Sequence, residues 1–324
     1  GQQIVMERND DYWGPKPAFK NAIVRIIKDP ATAVAELLAG RVDIVPAFPF
    51  DQMKTLESAG AGQAVVQPIL RTAFRGLDMR ARSGPNPFTD KNVRLAVNYA
   101  CNVDGYIKTL QAGGERTPGN VNKLAFGYDP SIQPYPYDVN KAKELLDAAG
   151  WKDGPDGVRV KDGQKFEIRF ITSPSNMPNN QQVNEAIVQD LAAAGIKATI
   201  QNFGDVTSFT TTVSEGKGGP MYQFDWGYFS VFDADGILWD MHHSSSPYAY
   251  FSTPELDALL EQGRGTLDEA RRKEAYSKAQ KLLHDEAAVL FLWSLSGIWG
   301  VSKNVDWQPR GDEIDRLFEA KPKA

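Results

Sequence analysis

Apolar positions along this chain recur at two alternating periods, one near 3.6 and one of two, and the alternation predicts helices interleaved with strands. In residues 138–150, Ala142, Leu145, Leu146 and Ala149 share one helical face; Asp138 is placed to cap the start and Gly150 to close the end in the left-handed conformation. Asp156-Gly157 and Asp162-Gly163 then read as turns around a small ribbon, and Phe166, Ile168 and Phe170 alternate as a half-buried strand. The same pattern gives a helix stopped by Gly40 before a strand with Val42, Ile44 and Val45. It gives another helix opened by Asp90 with Val93, Ala96, Val97 and Ala100 as its stripe. Further along, it predicts a helix over 180–194 stopped by Gly195, a strand over 196–201, a helix over 206–215 and a strand over 221–228. A long helix over 267–287 and a buried strand over 289–293 follow. Helix and strand alternating in this way define an α/β protein with helices on both faces of a sheet.

The 324 residues exceed what one core organises, so two lobes are expected, and the Pro- and Gly-rich stretch 83–87 is a candidate boundary. Apolar residues at 42% and charged residues at 24% are ordinary globular values, so no disorder is implied. A net charge of -5 argues against nucleic acid and against anionic membrane surfaces as partners. The apolar run 287–292 is far short of the ~20 residues that span a bilayer. Cys101 is the only cysteine and falls within a predicted helix, so neither an internal disulfide nor a thiolate metal cluster can form.

Candidate chemistry concentrates in residues 222–251, where Tyr222, Phe224, Trp226, Tyr228, Phe229, Phe232, Trp239, Tyr248, Tyr250 and Phe251 crowd together. Core packing around a strand and the wall of a small-molecule cleft both suit such rings. Asp233 and Asp235 lie two apart, the raw material of a secreted carbohydrate-active hydrolase, although acids in loops are more commonly solvated or turn-forming. His242 and His243, read as strand neighbours, point to opposite faces, and His284 sits in the long late helix, so no metal set is expected. The run Gly216 to Pro220 lacks the Gly-Lys-Ser/Thr of a phosphate loop and enters a strand, and no serine lies in a Gly-x-Ser-x-Gly elbow.

Five segments, in order, resemble one family. These are Gln3 to Trp13, a strand followed by Asn-x-x-Tyr-Trp; Glu36 to Ile44, a helix ending in Gly before Val-Asp-Ile; Phe88 to Ala100; the helix, turn, ribbon and strand of 138–170; and 267–287 with Arg271, Tyr276, Ala279, Gln280, Leu283 and Glu286, followed by the strand from Val289. Together they are similar to the dipeptide/oligopeptide/nickel class, family 5, of extracytoplasmic solute-binding proteins of ABC importers. The resemblance implies a periplasmic-binding-protein-like (type II) two-lobe α/β fold with its first lobe incomplete at the N-terminus. Residues 1–77 would be the remainder of that lobe, 78–288 the second lobe and 289–324 the return to the first. It implies a binding protein and not an enzyme, one that captures a small peptide-like or other polar solute by cleft closure and delivers it to membrane permease subunits; no cofactor is expected, and although the family includes nickel binders the residues offer no metal set. The location would be periplasmic or extracytoplasmic, with membrane association only through the permease or a lost N-terminal anchor.

In the family a Gly-Trp-x-x-Asp-x-x-Asp-Pro segment lends its backbone to the ligand and its first Asp to the ligand's amino group. Aligning Asp235-Gly236 with Asp-Pro puts Phe229 on the Trp and Phe232 on that Asp, whereas a slip of one residue brings Asp233 there. The ligand-binding residues carried over are therefore Tyr228, Phe229, Ser230, Val231 and Phe232 through their backbone, with Asp233, Trp226 and Tyr248 beside them. A hydrolase using Asp233 and Asp235, and a stand-alone chaperone or adhesion module, are the competing readings.

An incomplete first lobe should leave an exposed edge or apolar face within 1–77 and 289–324. It should also bind weakly: if the absent contacts are worth ~3 kcal/mol, affinity falls more than a hundredfold at ~1.4 kcal/mol per decade. Calorimetry of this chain and of the full-length protein with the same solute measures the difference, and equal dissociation constants would place the whole site in the second lobe.

Overall fold

A computed structural model of the chain describes residues 2–111, 113–173, 177, 179–227 and 231–323. It divides into two compact units, residues 1–69 with 296–324 and residues 70–295.

The first unit opens with an antiparallel ribbon of β1 (Gln3–Glu7) and β2 (Asn21–Arg25), in which Ile4 faces Val24 and Val5 faces Ile23. Every residue of β1 is exposed, so Ile4, Val5 and Met6 present apolar side chains on both faces of the ribbon. Trp13, in the connection, is 91% exposed. Next comes α1 (Pro30–Leu38), which starts where Asp29 accepts the Thr32 amide and Pro30 fixes the first turn, and buries Val34 and Leu37. After it follow β3 (Ile44–Val45), α2 (Met53–Ser58) and the first part of β4 (Gly62–Leu77).

The second unit takes up the rest of β4 and adds α3 (Lys91–Ala100), α4 (Val103–Leu110), β5 (Glu115–Arg116), α5 (Val139–Ala148) and the ribbon β6 (Val160–Lys161) with β7 (Gln164–Lys165). There follow β8 (Glu167–Thr172), α6 (Asn180–Ala193), β9 (Lys197–Asn202), α7 (Val206–Ser214) and β10 (Met221–Gly227). Helices α8 (Asp235–His242), α9 (Pro254–Arg264) and α10 (Glu269–Asp285) lead into β11 (Val289–Ser302), whose far end returns to the first unit. There β11 pairs with β3, and β12 (Val305–Asp306) pairs with β13 (Lys321–Pro322).

In the second unit the sheet order is β11-β4-β10-β8-β9. β10 runs antiparallel to β4, from Met221 opposite Leu77 to Gly227 opposite Arg71, and parallel to β8, which is parallel to β9. One sheet face carries Phe74, Tyr222 and Phe224 into a core shared with Phe209, Ile237, Leu238, Leu256, Tyr276 and Leu283 from α7 to α10. Tyr222 lies across Gly76, its cross-strand neighbour, so closely that a methyl there would overlap the ring. Buried Asn98 of α3 extends the ladder of β11, donating to the Val289 carbonyl at 2.9 Å and accepting the Phe291 amide at 3.2 Å. Arg94, one turn earlier, ties the end of α10 by donating to the Glu286 carbonyl and carboxylate.

The helix at 138–150 forms as its pattern predicts, with Asp138 accepting the Lys141 amide and Gly150 at φ +87°. Several expectations shift. The late helix begins at Glu269, because Asp268 accepts the Arg271 amide and leaves Leu267 outside, 99% exposed. β11 continues to Ser302 instead of stopping near Trp293, since Ser294 and Ser296 are buried within the strand. Cys101 ends α3 instead of lying inside a helix, and burial pushes its thiol pKa up, so it packs as an apolar residue. His242 and His243 close helix α8 instead of standing on a strand, because the α8 face of Ile237, Leu238 and Met241 packs into the core.

Replacing Gly76 by Ala should destabilise the protein by about 1–3 kcal/mol, the usual range for overpacking a filled core. Urea denaturation read from tryptophan fluorescence measures it; an unchanged midpoint would mean that the Tyr222 ring moves aside freely.

Candidate functional site

Two arrangements meet where β8, β9 and β10 end, both within the second unit. The first is the loop from β10 to α8. Tyr228, Phe229 and Ser230 lie outside the described residues. Val231 and Phe232, 49% and 41% exposed, hold side chains in solvent. Their carbonyls are used: Val231 accepts the Asp233 amide at 2.8 Å, and Phe232 accepts the Phe126 amide at 2.8 Å. Phe126 in turn accepts the Ala234 amide, closing a parallel bridge to Asp233. Among the described residues no acceptor meets the amides of Val231 and Phe232.

The acids of this loop are neutralised internally. Asp233 accepts the Asp235 amide at 3.0 Å and pairs with Arg272 at 3.0 Å. Asp235 is paired with Arg264, whose guanidinium lies 3.5 Å above the Trp239 ring. Arg272 also covers Phe126 at 5.0 Å and donates to Tyr276 Oη. Trp226 is half-buried; its Nε1 donates to the Gly236 carbonyl, and its ring packs on Phe224 and Tyr248 at 5.8 Å each. Trp226 and Tyr248 thus fix the start of α8 against the aromatic face of β10.

The second arrangement is the opposite face of the same strands, where Gln223 and Asp225 alternate with the aromatics. Asp225 pairs with Arg71 of β4 at 2.7 Å. Gln223 accepts from both Asn180 at 3.0 Å and Asn184 at 2.8 Å, and donates to the Ser173 carbonyl at 3.3 Å. Behind them Arg75, 0% exposed, donates to Asn184 Oδ1 at 3.0 Å and to the Phe74 carbonyl, while its Nη2 has no partner among the described residues. Burial lowers the Arg75 pKa to about 10, with Asp225 opposing the shift, so it stays charged at neutral pH. In front lies an open depression of about 680 Å³, lined by Ser173, the first turns of α6 and the end of β9 at Asn202 and Phe203.

Arg71, Gln223, Asn180 and Asn184 did not stand among the sequence candidates. The alternation Gln223, Asp225 between Tyr222, Phe224 and Trp226 carried the signal, since period two puts these polar residues on a face of their own. The histidines do not converge on a metal: His242 lies against Asn120 at 3.1 Å, His243 stacks on Trp239 and His284 on Tyr135. Among the described residues no group of three His, Cys, Asp or Glu side chains could hold an ion, and no helix is long and apolar enough to cross a membrane.

Parallel strands ending at a polar depression, beside a loop whose Val231 and Phe232 amides meet no acceptor among the described residues, make up the layout of a ligand-capturing α/β protein. The chain belongs to the bacterial extracellular solute-binding proteins, family 5 middle, whose family model matches residues 1–248. It is 27% identical to the probable D,D-dipeptide-binding periplasmic protein DdpA of Escherichia coli (strain K12), across 98% of this chain and 59% of that protein. It is 25% identical to the oligopeptide-binding protein AppA of Bacillus subtilis (strain 168), across 99% of this chain and 60% of that protein. Its fold superposes on NikA from Brucella suis, solved in complex with Fe(III)-EDTA, with a TM-score of 0.87 at 25% identity, covering 100% of this chain and 66% of NikA. The chain thus spans about 60% of the length of the curated relatives it matches. The family and these binding-protein relatives give the hydrolase reading no support, and Arg272 and Arg264 occupy the two acids it would need.

His242 sets a pH dependence for α8. Burial holds its pKa at about 3, against an ordinary 6.5. Between those values the unfolded chain binds a proton that the folded one refuses, so stability falls as pH drops from 6.5 toward 3. The loss should approach ~1.4 kcal/mol per pH unit, and His242→Leu should flatten that slope. Urea midpoints at pH 7, 6 and 5 report it; equal slopes in both proteins would assign the dependence to other groups.

Proposed function

We propose that the chain is part of the substrate-binding component of an ABC importer, capturing a small solute outside the cytoplasmic membrane and delivering it to the permease. Residues 70–295 are the second lobe, and residues 1–69 with 296–324 belong to the first. In the full-length protein the contacts of the bound solute favour a closed form, and the closed form is the one that docks on the permease.

One observation carries the reading: the amides of Val231 and Phe232, which meet no acceptor among the described residues, on a loop otherwise held by main-chain bonds to Phe126. Backbone groups of an extended segment recognise a ligand irrespective of side-chain identity. The same backbone role is assigned to Tyr228, Phe229 and Ser230, which lie outside the described residues; Trp226 and Tyr248 brace the start of α8. Asp233 acts as a brace for the loop through Arg272 instead of meeting the solute.

Native mass spectrometry of the gently purified full-length protein should show a retained small solute. Val231→Pro, which deletes one open amide, should weaken calorimetric affinity for that solute at least tenfold, about 1.4 kcal/mol. Phe232→Ala, which keeps both amides, should change it less than threefold. Chemical conversion of the solute, or no loss in Val231→Pro, would refute the reading.

A further inference from the structure

Helix α8 carries one acid that the charges around it do not match. Asp233 and Asp235, at its start, pair with Arg272 and Arg264, and Asp225 in β10 pairs with Arg71. On the neighbouring helix α9, Asp257 accepts the Ser244 amide and Glu261 lies 3.5 Å from His243 Nε2. His243, three residues after Asp240, turns its other ring nitrogen to Ser245 Oγ at 2.6 Å. Asp240 itself, half-buried in the second turn of α8, has neither a cation within ion-pair distance nor a hydrogen bond to its carboxylate among the described residues. The residues outside that set, 1, 112, 174–176, 178, 228–230 and 324, include no lysine, arginine or histidine, so no side-chain cation there can complete a pair.

Burial raises the Asp240 carboxyl above its ordinary pKa, with the Arg264 charge opposing and Asp235 adding to the shift. Arg264 is committed elsewhere, donating to both oxygens of Asp235 at 3.0 and 2.6 Å. A carboxylate held partly out of water without a partner lowers stability. Proteins keep such groups where function competes with stability.

The position of Asp240 shows what would satisfy it. Trp226 Nε1 donates to the Gly236 carbonyl at 2.8 Å, one helical turn before Asp240. Ser246 Oγ donates to the Asp240 carbonyl and accepts the Tyr248 amide at 3.2 Å. Asp240 thus sits between the attachment points of two half-buried rings that pack on each other at 5.8 Å. Side chains of a helix lean toward its N-terminus, over the preceding turn, and the residue there is Gly236, which has no side chain to fill the place. The faces of indole and phenol rings attract positive charge, and so does the carboxylate. An anion would be repelled by all three groups, and a hydroxyl would donate one hydrogen bond while leaving the charge uncompensated. Only a cation suits the whole arrangement.

We propose that Asp240 anchors a cationic nitrogen group of the solute, ammonium or guanidinium, with the rings of Trp226 and Tyr248 flanking it. This deepens, and rests on, the binding-protein reading above: the positive group is met on α8, just beyond a loop whose own acids are already paired.

The solute need not be identified for the test. A yeast-extract ultrafiltrate is passed at acid pH over a sulfonate resin, which retains every solute with a protonated nitrogen, zwitterions included. The retained pool, eluted with ammonia, and the flow-through are each added at neutral pH to the full-length protein in a thermal-shift assay. The retained pool should raise the unfolding midpoint, and Asp240→Asn should increase the amount needed for half the effect at least tenfold. Glu274→Gln, which removes an exposed charge from α10, should change it less than twofold. The unliganded midpoint of Asp240→Asn should equal or exceed that of the unaltered protein; a fall would mean that the carboxylate is bonded within the fold, and would overturn the proposal. An undiminished response of Asp240→Asn to the retained pool would overturn the Asp240 anchor and keep the binding-protein reading. Stabilisation by the flow-through alone would do the same. No response to either pool would overturn both.

Discussion

The register between β4 and β10 decides which side chains share a face, and nearly everything else in the second unit depends on it. With Trp226 opposite Thr72, Phe224 opposite Phe74 and Tyr222 opposite Gly76, the aromatic residues of β10 all turn toward α7 to α10. The intervening residues, Gln223 opposite Arg75 and Asp225 opposite Ala73, turn toward α6. A slip of one residue would send the phenyl and indole rings to the carboxamide side and the charges into the core. Burial of Phe74, Tyr222 and Phe224, each worth roughly 1.5–3 kcal/mol, therefore also sets the geometry of the polar face.

That polar face tolerates a fully buried guanidinium because it is surrounded by dipoles. Asn184 and the Phe74 carbonyl accept from Arg75, and Gln223 orients Asn184. The relay runs from a charge in the interior to the amide groups at the strand ends, and each carboxamide is held by the one behind it. Side chains locked in this manner present a fixed pattern of donors and acceptors to the solvent side, which is the condition for recognition at low entropic cost.

Much of the framework was legible in sequence, because caps and glycines mark it locally: Asp90, Asp138 and Asp268 accept amides of the first turn, and Gly40 and Gly150 adopt positive φ. β4 was not, since Pro68, Arg71 and Arg75 interrupt its apolar run, and only the pairing with β10 shows why arginines belong there. Helices α8 and α9 lay hidden in an aromatic and polar stretch whose packing is tertiary. At the site, the sequence pointed to the loop after β10 through family likeness and to Asp233 through its charge. It could not reveal that Arg272, thirty-nine positions away, claims that acid. Nor could it reveal that residues of α6 and β10, with the Ser173 carbonyl just past β8, build one amide cluster, since such partnerships exist only after long-range folding.

The bridge between Phe126 and residues 232–234 uses main-chain atoms alone. An anchor of that kind places no demand on the exposed side chain at position 232, so mutation can exchange it without detaching the loop, while Phe126 under Arg272 and Ala234 in the core are held by packing. On the proposed reading, a loop side chain that meets the solute is thereby free to drift in evolution while the scaffold beneath it stays put. One backbone frame can in this way be refitted to new cargo by point substitutions, and a signature aligned only by its letters will lose its register at that place.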